Sequence, residues 1–240
     1  MKMAVEKQTS YAIAYDASRM DCPPVDFFSV DFWRSNNALA GEAVGRGSAW
    51  FLATPIGKFV LRQYLRGGWA AKLSHRHYVY TGISRSRPFR EFRVLADLHE
   101  LGLPVPVPVA ALVKSRFLVY SGAILTETIP STRTLADALL SDAFDPPLKE
   151  VLWGRLGQCI RRFHDAGAWH ADLNARNILL DPDNAVHLID FDRARFTPGH
   201  AVQGRSNLDR LKRSLVKLCP PGKTNELELA WKYLMEAYHA

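Results

Sequence analysis

Cysteine is scarce in this chain. Cys22, Cys159 and Cys219 are the only three in 240 residues, and thiols so few and so far apart build neither a disulfide framework nor a zinc knuckle. They are expected to be ordinary packing residues. No apolar run approaches the roughly 18 residues that a membrane span needs, so no transmembrane segment is expected. The opening MKMAVEKQTS has a lysine but no apolar stretch behind it. No secretory signal is readable there, and the chain is expected to stay in the cytosol. Repeats and low-complexity tracts are also lacking. What is present is 48% hydrophobic and 11% aromatic residues, enough to fill the core of one large domain or two small lobes.

A more local absence is that of acid. Between Glu42 and Glu91 there is no aspartate or glutamate, while Arg46, Lys58, Arg62, Arg66, Lys72, Arg76, Arg85, Arg87 and Arg90 all fall there, so this segment carries more than the whole net charge of +7. Its cations alternate with Trp50, Trp69, Tyr78 and Tyr80, side chains that settle at lipid headgroups or stack on bases. A site for a phosphate-rich partner is expected, against the plainer alternative of a solvated basic face. A second cluster, Arg205, Arg210, Lys212, Arg213 and Lys217, reads as no more than an exposed helix face.

The pattern changes once along the chain. Residues 27–65 alternate short apolar runs with glycine-bearing turns, which predicts strand, turn, strand, turn, strand. Pro88 followed by Phe92, Leu95 and Leu98 predicts a helix that ends before Gly102. Residues 103–108, with three prolines, are a connector; Ala111–Val113, Phe117–Tyr120 and Ile124–Ile129 are β-like. Helices are predicted over 134–140 and 148–166, the second ended by Gly167. Residues 1–26 carry no readable pattern. Strand-rich before and helix-rich after describes an α+β fold of two lobes, residues 1–123 and 132–240, joined by a crossing segment 124–131.

The most informative stretch is His170-Ala-Asp172-Leu-Asn174-Ala-Arg-Asn177 followed by two short strands and Asp190. Phosphoryl transfer asks a protein for a carboxylate near the attacking hydroxyl and for hard oxygen ligands that hold magnesium on the phosphates. Asp172 fits the first role, as base or orienter; Asn177 and Asp190 fit the second. His170 is expected to pack and hydrogen-bond beneath the loop. Upstream, Gly45-Arg-Gly47 between two strands reads as a short phosphate-covering loop, or as a plain hairpin turn. Arg62 stands where a strand cation would hold the α- and β-phosphates, with Glu91 as the partner that orients it. Glu127, on the crossing strand, would offer backbone groups to an adenine edge.

In this order, glycine hairpin, strand cation, helix glutamate, crossing strand, His-Ala-Asp-Leu-Asn and Ile-Asp-Phe-Asp, the chain resembles the protein-kinase-like superfamily. Within it the chain is most similar to the Kdo-phosphorylating kinases of the lipopolysaccharide kinase group. The resemblance rests on residues 45–195 and includes Arg62-Gln-Tyr-Leu-Arg-Gly-Gly68 and Ile189-Asp-Phe-Asp-Arg-Ala-Arg195. It implies a two-lobed kinase fold, ATP and Mg2+ as cofactors, and transfer of the γ-phosphate to the 4-hydroxyl of Kdo in Kdo-lipid IVA. The setting it implies is peripheral, at the anionic cytoplasmic face of the inner membrane, with no nucleic acid partner. The basic, aromatic segment agrees with such an acceptor. Asp192 replaces the glycine of Asp-Phe-Gly and no Ala-Pro-Glu segment follows, which disfavours a regulated protein kinase with a peptide platform. Two alternatives stay open: a RIO-like or small-molecule kinase, and a catalytically silent basic module that binds membrane or RNA. An aminoglycoside kinase should line its acceptor site with acids, and the acid-free segment argues against one.

Overall fold

A computed structural model describes residues 1–43, 49–64, 78–79, 82–117 and 119–240. The chain forms two compact units, one of Met1–Glu100 with Pro106–Thr128, the other of Leu101–Val105 with Ile129–Ala240. Gly45 and Gly47 lie outside the described residues, as do Arg46, Arg66, Trp69, Lys72, Arg76 and Tyr80 of the basic segment.

The first unit is an antiparallel sheet of β1 (Met3–Lys7), β2 (Tyr11–Asp16), β3 (Leu39–Ala43), β4 (Ala49–Thr54), β5 (Gly57–Gln63), β6 (Tyr78–Val79), β7 (Pro108–Arg116) and β8 (Val119–Glu127). Its spatial order is β1-β2-β7-β8-β5-β4-β3, with β6 against the start of β8. Ile13, Leu52, Phe59, Leu61, Leu112 and Leu125 form one buried cluster with Phe28 and Trp33. Because side chains alternate along a strand, burial of Phe59 and Leu61 on that face turns Val60 and Arg62 to the other. Helix α2 (Arg87–Glu100) buries Phe89, Phe92, Leu95 and Leu98 and lies along β7 and β8.

Three features of this unit differ from the sequence expectation. Residues 1–26 contain β1 and β2; β2 buries Ala12, Ile13 and Ala14, and its alanines give no strand signal of their own, so its shape comes from pairing with β7. Residues 30–35, inside the stretch read as strand, form the short helix α1 (Val30–Ser35), started by the Ser29 hydroxyl accepting from the Phe32 N–H at 3.5 Å. Finally, β8 is one uninterrupted strand, with Phe117 at the turn before it in a left-handed conformation (φ 54°).

In the second unit α3 (Leu135–Leu140) begins with a capping box between Thr134 and Asp137. Helix α4 (Pro146–Asp165) starts two residues before its expected first turn, and its long partner is α6 (Thr224–His239). The chain leaves α4 through Gly167 at φ 91°. A side chain there would meet the Thr197 carbonyl, so glycine is required twice over. A three-stranded sheet orders β12 (Val186–Leu188), β11 (Ile178–Leu180) and β9 (Arg133–Thr134); β10 (Ala168–Trp169) pairs with β13 (Arg195–Phe196). Helix α5 (Arg205–Leu218) lies between β13 and α6 in the chain. Residues 101–105 belong here through the Leu188 N–H donating to the Pro104 carbonyl at 3.0 Å and Arg162 donating to the Gly102 carbonyl at 2.9 Å.

Candidate active site

Asp172 lies in the loop between β10 and β11, and its backbone is held from three sides. Its carbonyl accepts from the Asn174 amide at 3.0 Å and from the Asn177 amide at 2.9 Å, and its N–H donates to His170 Nδ1 at 3.1 Å. The other ring nitrogen of His170 donates to the Ile189 carbonyl at 2.9 Å. These two bonds fix the tautomer with the proton on Nε2. Burial holds the His170 pKa below its usual value, which keeps the ring neutral and able to accept from Asp172. A buried imidazole thus ties the loop to the residue just before Asp190.

The hairpin completes the set. In β11 and β12, Ile178 is opposite Leu188, and the next bond outward is from the Ile189 N–H to the Asn177 carbonyl at 3.0 Å. Asn177 and Asp190 are therefore neighbours across the open end of the hairpin. Asn177 spends its amide nitrogen on the Asp172 carbonyl, so of its side-chain atoms the oxygen is the one that could face a cation. Asp190 adopts φ 65°, a conformation costly for a residue with a side chain and concentrated at functional sites. An amide oxygen and a carboxylate are hard oxygen donors of the kind magnesium takes. Phe191 is buried between Phe163, stacked at 5.7 Å, and His170, edge-on at 4.8 Å.

Helix α5 runs behind the loop and touches it residue by residue. Ser206 accepts from the Trp169 indole at 2.9 Å. Asn207 accepts from the His170 N–H at 3.1 Å and donates to the His170 carbonyl. Arg210 Nη1 is 3.5 Å from Asp172 Oδ1, and Ser214 accepts from the Ala175 N–H at 3.2 Å. Asn207 also accepts from His164 Nε2 at 3.1 Å, and His164 Nδ1 meets the Tyr238 hydroxyl at 2.8 Å. Sequence reading missed Asn207, His164 and Tyr238 and took Arg210 for surface. One signal was available: Asn207 lies in the same stripe as Leu208, Leu211 and Leu215, and a polar residue in an apolar stripe needs partners.

In the first unit the structure brings Arg62 and Glu91 together. Arg62 Nη2 pairs with Glu91 Oε2, and the Tyr64 hydroxyl donates to the same oxygen. The Arg62 guanidinium also lies over the Tyr64 ring at 5.4 Å. Glu91 is 3% exposed and Arg62 22%, and burial pushes the Tyr64 phenol well above its usual range. Removing one partner of so buried a pair strands the other. Glu91→Leu is expected to lower stability by about 3 kcal/mol, measured as the urea midpoint; an unmoved midpoint would mean that the pair is solvated. Glu127 ends β8: its N–H donates to the Val107 carbonyl at 2.9 Å and its carboxylate pairs with Arg19. The N–H is therefore not open to an adenine edge. The Thr128 N–H is also taken, by the Lys58 carbonyl at 3.0 Å.

The three cysteines are free, and burial raises the Cys159 thiol to about 12. Among the described residues no helix is long and apolar enough to cross a membrane.

Comparison with known proteins gives one consistent result. The model of the lipopolysaccharide kinase (Kdo/WaaP) family matches residues 30–238. A 3-deoxy-D-manno-octulosonic acid kinase of Stenotrophomonas maltophilia (strain R551-3) is 44% identical over 227 residues, covering 95% of this chain and 89% of that protein. Proteins of the same description from Xanthomonas euvesicatoria pv. vesicatoria and Xanthomonas campestris pv. campestris (strain B100) are 40% and 39% identical, each over 95% of this chain and 89% of their own length.

Proposed function

The chain belongs to the lipopolysaccharide kinase (Kdo/WaaP) family, and we propose from this that it is a Kdo kinase, moving the γ-phosphate of ATP to the 4-hydroxyl of Kdo in Kdo-lipid IVA. The observation that carries the reading is 44% identity across nearly the whole chain to a relative of that description. The joined set of Asp172, Asn177 and Asp190 supports it. In this reading Asp172 orients the acceptor hydroxyl and takes its proton, while Arg62, aimed by Glu91, holds the nucleotide's phosphates. Asn177 and Asp190 would hold magnesium, which when bound neutralises charge on the phosphates. The glycines at 45 and 47 would cover the nucleotide.

The test is an acceptor assay with ATP, magnesium and a set of glycolipids that includes Kdo-lipid IVA. Labelled Kdo-lipid is the expected product. Labelled protein in its place, or no transfer to any glycolipid, would reject the reading.

We also propose a peripheral position on an anionic bilayer. Phe117 is 90% exposed at the β7–β8 turn, between exposed Lys114 and Arg116 and the start of β8. Next to it β6 pairs with β8 at Tyr120 and Val119, so the basic segment returns to the sheet at this turn. An aromatic ring framed by cations suits the headgroup layer. Phe117→Glu is expected to weaken co-sedimentation with phosphatidylglycerol vesicles about 10-fold, and native binding should fall as salt rises. Binding that ignores both changes would count against this surface.

A further inference from the structure

Of the five cations near α5 that read as a solvated face, one is in contact with the loop that carries Asp172. Arg210 Nη1 lies 3.5 Å from Asp172 Oδ1, with side chains 44% and 59% exposed. We infer that Arg210 is a specificity-determining residue that receives the carboxylate of the acceptor sugar while Asp172 receives its hydroxyl. The inference rests on the Kdo reading above and names how that acceptor is chosen.

Three observations lead there. First, the loop does not need this pair. Asp172 is already fixed through its backbone by Asn174, Asn177 and His170, and an exposed ion pair at this distance contributes little to stability. Second, the pair lies open, with the two side chains 44% and 59% exposed, so a solute that docks on Asp172 also meets the guanidinium. Third, the acceptor has a need that this cation meets. Kdo bears its carboxylate on C2 and the reacting hydroxyl on C4 of the same ring, so a hydroxyl seated on Asp172 brings a second negative charge close to the first. Without a cation the two carboxylates repel. A guanidinium with several donors in one plane can face Asp172 with one and the sugar acid with others. Among the described residues Asp172 is the only ion-pair partner that Arg210 has.

The experiment compares Kdo-lipid acceptor carrying its free carboxylate with the same acceptor as its methyl ester, in detergent, for native protein, Arg210→Gln, Arg210→Lys and Lys217→Gln. Native kcat/KM should favour the acid about 10- to 100-fold over the ester, the scale of a charge-assisted contact. In Arg210→Gln the acid should fall to the level of the ester, the ester should stay near its native rate, and KM for ATP should be unmoved. Arg210→Lys should recover part of the preference, and Lys217→Gln should keep all of it. If Arg210→Gln slows acid and ester equally, Arg210 serves Asp172 or the nucleotide and the inference is overturned while the Kdo reading stands. It is also overturned if Arg210→Gln changes neither. A native protein that phosphorylates neither acceptor defeats the Kdo reading and this inference with it.

Discussion

Asp172→Ala is expected to lower turnover by at least about 100-fold and to leave nucleotide binding nearly intact. The split follows from how the residue is held. Everything that fixes the loop at this position engages its backbone: two asparagine amides on the carbonyl and an imidazole nitrogen on the N–H. Among the described residues the carboxylate contributes only its exposed contact with Arg210, so its removal should change stability by no more than about 0.5 kcal/mol. On the proposed reading, what is lost is the group that would orient the hydroxyl and take its proton. Single-turnover transfer and a separate nucleotide titration check the two halves. Asp172→Asn refines the result: the amide can still orient a hydroxyl but cannot take a proton, so it should remain nearly as slow as alanine. Full turnover in either variant would remove Asp172 from the chemistry.

The part of the site that was legible in the sequence is the part that is local. Asp172, Asn177 and Asp190 lie within one loop and the hairpin after it, so their spacing alone fixes most of their geometry. Arg62 and Glu91 were legible for a different reason. Alternation in β5 puts Arg62 opposite the core face, and the stripe of α2 buries Glu91 beside Phe92. What was not legible depends on distant partners. Asn207 reaches His170 across 37 positions, and spacing within α5 does not tell which neighbour it faces. The first two strands were hidden because alanine has no strand preference and β2 is shaped by β7. Glu127 shows the opposite limit: its place in a strand was foreseen, but the use of its N–H depends on which strand lies beside it, and Val107 takes it.

Asn207→Leu is expected to be the most damaging change in the second unit outside the loop itself. Asn207 is fully buried, and leucine keeps its bulk while leaving three groups without partners: the His170 N–H, the His170 carbonyl and His164 Nε2. At about 1–3 kcal/mol for each of the three stranded groups, the loss is roughly 3–9 kcal/mol, a large share of the roughly 5–15 kcal/mol typical of a whole protein. Acid should deepen it. Burial holds both His164 and His170 below the usual 6.5, so the stability gained by keeping them neutral is complete above that pH. It is lost as pH falls through and below it, because the unfolded chain takes up protons first. The Asn207 bond raises the His164 pKa against burial, so its loss should make the variant still more sensitive to acid than the native protein. Thermal unfolding between pH 5 and 8 measures both effects. Gly204 obeys the same constraint, since a side chain there would collide with His164 and the Tyr238 hydroxyl. Turnover, measured well below the melting temperature, separates support from mere packing. The Asn207 amide holds both polar groups of the His170 backbone, two residues before Asp172, so the loop should lose its alignment and turnover should fall about 10-fold with nucleotide binding retained. A variant that melts early yet turns over at the native rate would show that α5 stabilises the unit without aiming the loop.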